Sequence, residues 1–216
     1  MKILYLLSVL ILFASCSSEK NEKSNTSSPQ DTVSVDTTDI VKNLDTNDTV
    51  QPVSLSFEDK IQNLKSCYLK SYDEINKKDK GIHALQNSNT TFHQAVFLKK
   101  KTSINYGDVE DIYPVVNLFF YEYSTEDDCQ KAFIKWLECF GGECDQITVG
   151  TNMDHIKMPP MYIIKNATEI IVLKYLCEHN ENNWADLKND LLSSFKTPGS
   201  KIMNVECGGP LTWISD

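Results

Sequence analysis

Apolar positions recur along the chain in three helical patterns and several extended ones. Phe57, Ile61, Leu64, Tyr68, Tyr72 and Ile75 are spaced by three or four, one face of an amphipathic helix that the lysine-rich run 76–81 closes. Residues 92–98 read as a strand and Asn105-Tyr106-Gly107-Asp108 as a turn. Residues 115–123, dense in β-branched and aromatic side chains on both faces, predict a strand placed centrally in a sheet. Ser124 and Thr125 precede Asp127 and Asp128, a helix start, and Cys129, Phe133, Trp136, Leu137 and Phe140 form its apolar face up to Gly141-Gly142. After a polar loop and Pro159-Pro160, strands at 161–165 and 169–177 flank the turn Asn166-Ala167-Thr168 as a hairpin. Trp184, Leu187, Leu191 and Phe195 mark a third helix, Pro198-Gly199 breaks it, and 202–207 reads as a last strand.

The order is α, ββα, ββα, β. It predicts an α+β domain with an antiparallel sheet of about five strands and helices mainly on one face. A shift of 54 residues aligns Phe119 with Leu173, Tyr121 with Tyr175, Phe133 with Leu187 and Leu137 with Leu191. A duplicated ββα unit leaves that pattern, and so does any strand followed by an amphipathic helix.

Ahead of residue 55 the pattern changes. Lys2 precedes an apolar run, 3–13, then the small residues Ala14 and Ser15, then Cys16, after which hydrophobicity stops at Ser17-Ser18-Glu19-Lys20. A positive end, a short apolar core and small residues before a cut make a secretory signal, and the core is too short to span a bilayer comfortably. With a cysteine at the cut the segment resembles the lipobox of bacterial lipoproteins, with Phe13 where the usual pattern has Leu. The resemblance implies a signal peptide at 1–15, a lipidated Cys16 as the new N-terminus, and a membrane as the first partner. In an enteric bacterium Ser17 is compatible with outer-membrane sorting, so the expected location is the cell envelope, lipid-anchored. Which face the domain occupies stays open. An ordinary signal peptide that happens to contain a cysteine is the alternative.

Residues 16–54 follow as a tether rich in Ser, Thr, Asn and Asp with no aromatic residue, a composition too polar to offset chain entropy by burial. As a flexible chain it reaches roughly 30–35 Å. Thr32, Thr37 and Thr49 each follow an aspartate and precede Val or Thr, which resembles the O-glycosylation sequon of Bacteroides-type bacteria. The folded domain is expected over 55–216.

Composition narrows the function classes. The 216-residue chain carries a net charge of −9 and no arginine; all its basic residues are lysine. Lacking the planar fork that reads phosphates bidentately, and acidic overall, it is expected to bind no nucleic acid. After Cys16 come Cys67, Cys129, Cys139, Cys144, Cys177 and Cys207, an even number in an exported chain and so a disulfide framework. Cys139 and Cys144 bracket Phe-Gly-Gly-Glu and make the first candidate pair; Cys177 and Cys207, near two strand ends, make the second. Buried free thiols are the competing reading. No close-paired zinc ligands, HExxH, GxSxG or P-loop occurs, so no metal or cofactor is expected. His83, His93, His155 and His179 stand apart from one another, and no catalytic residue is nominated.

Tyr106, at a turn, and Trp213, after Gly208-Gly209-Pro210, are the candidate contact patch, in a tail where glycine and proline disfavour a strand. The reading is an envelope lipoprotein whose domain binds an envelope protein partner or an extracellular ligand. Alternatives are an exported hydrolase with a site assembled from distant residues and a small inhibitor or immunity-type protein. A deep polar cleft holding His93 or His155 beside a carboxylate favours the enzyme; a shallow surface with exposed aromatics favours the binder.

Overall fold

The structure, a computed structural model, describes residues 55–79, 81–104, 111–141, 143–177 and 182–214. Cys16, the signal segment, the tether with Thr32, Thr37 and Thr49, the turn holding Tyr106, and His179 lie outside the described residues.

Helix α1 (Phe57–Tyr68) starts where the Ser56 hydroxyl accepts the Asp59 N–H at 3.1 Å, with Glu58 and Asp59 in the first turn. It ends earlier than its apolar spacing predicts. Tyr72 and Ile75, three apart, would share a helix face, but Tyr72–Glu74 is strand β1, and the two side chains go to opposite faces of the sheet. A 3-10 turn at His83–Leu85 precedes the next strand. Strands β2 (Thr90–Lys100) and β3 (Val115–Tyr123) pair antiparallel. Helix α2 (Glu126–Glu138) is capped by the Thr125 hydroxyl, which accepts from Asp128 N at 3.1 Å, as its sequence predicts. Strands β4 (Met161–Lys165) and β5 (Glu169–Lys174) form the expected hairpin. Helix α3 (Asn182–Phe195), β6 (Lys201–Val205) and β7 (Leu211–Ile214) complete the chain.

The domain is α+β with one antiparallel sheet and three helices. The sheet has seven strands rather than about five, in the order β1-β2-β3-β5-β4-β6-β7. The two added strands are the edges. β1 is hidden inside a helix-like spacing. β7 follows the turn residues Gly208-Gly209-Pro210 and pairs with β6, which corrects the expectation that this tail forms no strand.

Two of the three helices share one face, and the third covers the other. α1 and α3 pack on one side through Phe57, Ile61, Leu64, Trp184, Leu187, Leu191 and Phe195. α2 packs on the other through Phe133, Trp136 and Leu137. Two covered faces explain why β3, β4 and β5 are apolar on successive residues instead of alternating. The same arrangement removes the duplication. β3 and β5 are antiparallel neighbours, so only a rotation about the sheet normal superposes the two hairpins, and that rotation keeps a helix on its face. α2 and α3 lie on opposite faces.

Candidate functional site

The register divides the domain into two ends. Tyr72 pairs with Lys100, Lys99 with Val115, Asn117 with Lys174, Lys174 with Met161, Met161 with Val205 and Val205 with Leu211. The β2–β3, β5–α3 and β6–β7 connections and the end of the α2–β4 connection therefore gather at one end, here the open end. The other, closed end holds the β4–β5 turn, the N-cap of α2 and the α3–β6 turn. Phe57 stacks edge-on against Phe92 and Phe195, at 5.9 and 5.8 Å, which places the start of α1 at the closed end. The chain thus enters the domain on the side away from the long loops.

The closed end is tight. Asn166, 4 % exposed, donates from Nδ2 to Glu169 Oε2 at 2.7 Å and to the Phe195 carbonyl at 2.9 Å. Its Oδ1 accepts the Ser200 hydroxyl at 2.6 Å. One side chain ties a hairpin turn, a helix end and the entry to β6, so every bond of the group is made inside the protein.

The open end is built otherwise. The described residues among 139–160 hold no helix or named strand, a length that marks functional loops more often than simple connections. Their order comes from anchors. Phe140 and Asp145 form an isolated bridge, and Cys139 and Cys144 stand paired with their Cα atoms 4.0 Å apart. Met153 bridges Leu211, and Asn152 Oδ1 accepts the Trp213 N–H at 2.8 Å, so this loop covers the outer edge of β7. Gly209, at φ +79°, lies so close to the loop that a Cβ there would meet Ile156 N at 2.8 Å and His155 Cα at 2.9 Å. Only glycine fits that approach. The second pair, Cys177 with Cys207, joins the β5–α3 and β6–β7 connections with Cα atoms 5.3 Å apart. Both expected pairs are at disulfide distance, and both are at this end.

Between these loops lies a solvent-open hollow of about 320 Å3, lined by Glu143, Asp145, His155, Ile156, Lys157, Met158 and Gly208. That volume is at the small end of the range of ligand sites. Lys157 Nζ and Glu143 Oε1 meet at 3.0 Å across its rim with both side chains largely in water. Such a pair contributes little stability. His155 stands in this lining beside Asp145 and Glu143. Leu69, Tyr113 and Leu176, 37 %, 42 % and 46 % exposed, stand at the same end.

The aromatic residues sort by depth. Tyr123 and Tyr162 are buried, and the Tyr123 hydroxyl donates to the Leu85 carbonyl at 2.6 Å; burial raises both phenols, Tyr162 to about 12. Trp184 is core, with 1 % exposed. Trp213, from the expected contact patch, is half-buried; its indole packs edge-on against Phe133 at 6.3 Å and donates from Nε1 to the Thr151 carbonyl at 3.1 Å. It fastens the long loop. Tyr113 is the exposed ring, and only its position beside a turn hints at that in the sequence. His93 stacks on Tyr121 at 4.9 Å, and partial desolvation holds its imidazole below the ordinary value. His83 is exposed in the 3-10 turn. Leu69, Leu176 and the lining of the hollow carry no sequence signal, because their exposure depends on which loops meet.

Among the described residues no three histidine, cysteine, aspartate or glutamate side chains gather to hold a metal, and no helix is long and apolar enough to cross a membrane. No protein-family model, no curated protein and no solved structure matches this chain.

Proposed function

We propose that this chain is a cell-envelope lipoprotein, anchored through lipidated Cys16, whose domain binds an envelope protein partner or an extracellular ligand with its open end. The observation that carries the reading is the polarity of the domain. The chain enters at the closed end, through Ser56 and Phe57, while the long loops, both cysteine pairs and the hollow gather at the opposite end; of the exposed large apolar side chains Leu69, Tyr113 and Leu176 lie there, and Leu55 and Ile214 toward the closed end. Exposed apolar and aromatic side chains at the end that also holds an open hollow fit a binding surface.

The anchor and the surface are tested separately. Cys16→Ser is expected to move the protein from the membrane fraction to the soluble one; retention in the membrane overturns the anchor. Photo-cross-linking residues placed at Tyr113 and Leu176, against controls at Ser193 and Lys201, are expected to capture a defined partner at the open end only. Equal capture at both sets removes the open end as the binding surface. Protease treatment of intact cells then assigns the face: loss of the domain places it outside, and protection until lysis places it in the periplasm.

A further inference from the structure

The two cysteine pairs of the open end are held in different ways. Cys177 and Cys207 follow β5 and β6, strands that both pair with β4, so the sheet fixes the positions of both. Cys139 and Cys144 close a link across a separation of only 5 at the end of α2. What flanks them is anchored without sulfur. Phe140 is fully buried, with its ring 4.9 Å from that of Trp136. Its N–H donates to the Asp145 carbonyl at 2.9 Å, the Asp145 N–H returns a bond at 3.1 Å, and the Ile147 N–H reaches the Leu137 carbonyl at 2.8 Å. These bonds and the core fix Phe140, Asp145 and Ile147, while Glu143 and Cys144 stand outside it, exposed.

Two features mark this link as exchangeable. Cys144 has φ +60° and is, among the described residues, the one residue other than glycine in the left-handed region. A β-carbon is disfavoured there, so the closed turn stores strain beside the sulfur. Both cysteines are exposed, so a reductant meets them without unfolding the domain. Strained and exposed disulfides are the labile ones. Cys139 is the C-cap of α2, where the helix dipole disfavours a thiolate, so the pair is a target of exchange rather than its driving nucleophile. Glu143 gives the link a consequence. It lines the hollow of about 320 Å3, and its carboxylate meets Lys157 Nζ at 3.0 Å. Met158, next to Lys157, packs so closely on Gly141 that a Cβ there would come within 2.7 Å of the Met158 Sδ.

We propose that Cys139 and Cys144 form a redox switch on the rim of the hollow, thrown by a dithiol reductant. A thiolate of the reductant attacks one sulfur of the pair, forming a mixed disulfide and releasing the other cysteine, which takes up a proton. The second thiol of the reductant then attacks the reductant's own sulfur in the mixed disulfide. That step releases the second cysteine as a thiol and the reductant as a disulfide, so two electrons and two protons have passed to the pair. In the oxidised form Glu143 is pinned at the rim against Lys157. In the reduced form Cys144 leaves the left-handed region and Glu143 lets go of Lys157, while Phe140, Asp145 and the sheet stay in place. The switch needs neither a lipid anchor nor a bound ligand to act.

The test is a dithiothreitol titration of the full chain, with free thiols trapped by iodoacetamide and mapped by peptide mass, and amide shifts recorded in parallel. Cys139 and Cys144 are expected to reach half reduction at a dithiothreitol concentration about 10-fold below that of Cys177 and Cys207, the factor by which the left-handed region disfavours a β-carbon. Over that interval the amides of Glu143, Cys144, Lys157 and Met158 are expected to move reversibly and those of the β4–β5 hairpin to stay. In Cys139→Ser/Cys144→Ser the Lys157 and Met158 amides are expected at their reduced wild-type positions with or without reductant. Reduction of both pairs together overturns the switch, as does reduction only with loss of the sheet. Lys157 and Met158 amides that ignore the redox state of the wild-type pair also overturn it, and that measurement needs no variant to fold.

Discussion

The two ends of the sheet are held together by different means. At the closed end a single buried amide, Asn166, satisfies a hairpin turn, a helix C-terminus and a strand entry with bonds of 2.6–2.9 Å. At the open end the loops are long, the bridges isolated and the cross-links covalent, with all four paired cysteines exposed. A short turn places every polar backbone group near a partner. A loop such as 139–160 has too few, so it is ordered by cysteines, by Gly209 and by a clasp from Trp213. Surface left free of internal partners is available to external ones, which is why the open end carries the functional proposal.

The largest effect is expected from cutting the open end loose. Cys177→Ser/Cys207→Ser removes a link across a sequence separation of 30, worth about 3–4 kcal/mol by loop-closure entropy, while Cys139→Ser/Cys144→Ser, across 5, is expected to cost about 2 kcal/mol. Urea unfolding measures both. Hydrogen exchange is expected to rise in 139–160 and 206–210 and to leave the β4–β5 hairpin protected; a uniform rise would erase the distinction between the ends.

Next comes the closed end. Asn166→Ala takes one hydrogen bond each from the Glu169 carboxylate, the Phe195 carbonyl and the Ser200 hydroxyl, which keeps its bonds to Thr197, with an expected loss of about 2–3 kcal/mol in the same assay. Partner capture at the open end is expected to survive at temperatures where the variant is folded.

The smallest effect is electrostatic and lies toward the closed end. His93 is an exposed residue whose imidazole stacks on Tyr121; partial desolvation lowers its pKa from the ordinary value, so the unfolded chain binds slightly more protons than the folded one at acidic pH. This contribution is intact above pH 6.5 and is lost as pH falls through the folded value. His93→Gln is expected to flatten that part of the stability profile, and an NMR titration of the imidazole reads the shift directly. A titration at or above 6.5 would contradict it.

What the chain reveals locally and what it hides follow one physical division. The helix start at Thr125, the faces of the three helices, the β4–β5 turn and the central place of β3 were legible, because each depends on neighbours within a few residues. The pairing of Cys139 with Cys144 was legible from the glycines between them, and that of Cys177 with Cys207 from their places at strand ends. Strand β1 was not, since Tyr72 and Ile75 fit a helix face and a two-sided strand equally well until the sheet supplies both faces. Strand β7 was not, since a short alternating segment becomes a strand only when β6 offers its edge.

The binding surfaces were the least legible part. The sequence by itself determined an acidic, arginine-free chain, an address-like N-terminus, a tether-like run and an α+β set of elements, all properties of composition and near-neighbour spacing. Only the tertiary structure decided that α2 lies opposite α1 and α3, that the chain enters away from its long loops, and that Glu143, beside Cys144, meets Lys157 at the rim of one hollow. Those facts arise from pairings between residues distant in sequence, whose choice is made by the burial of both sheet faces at once and is written in no single segment.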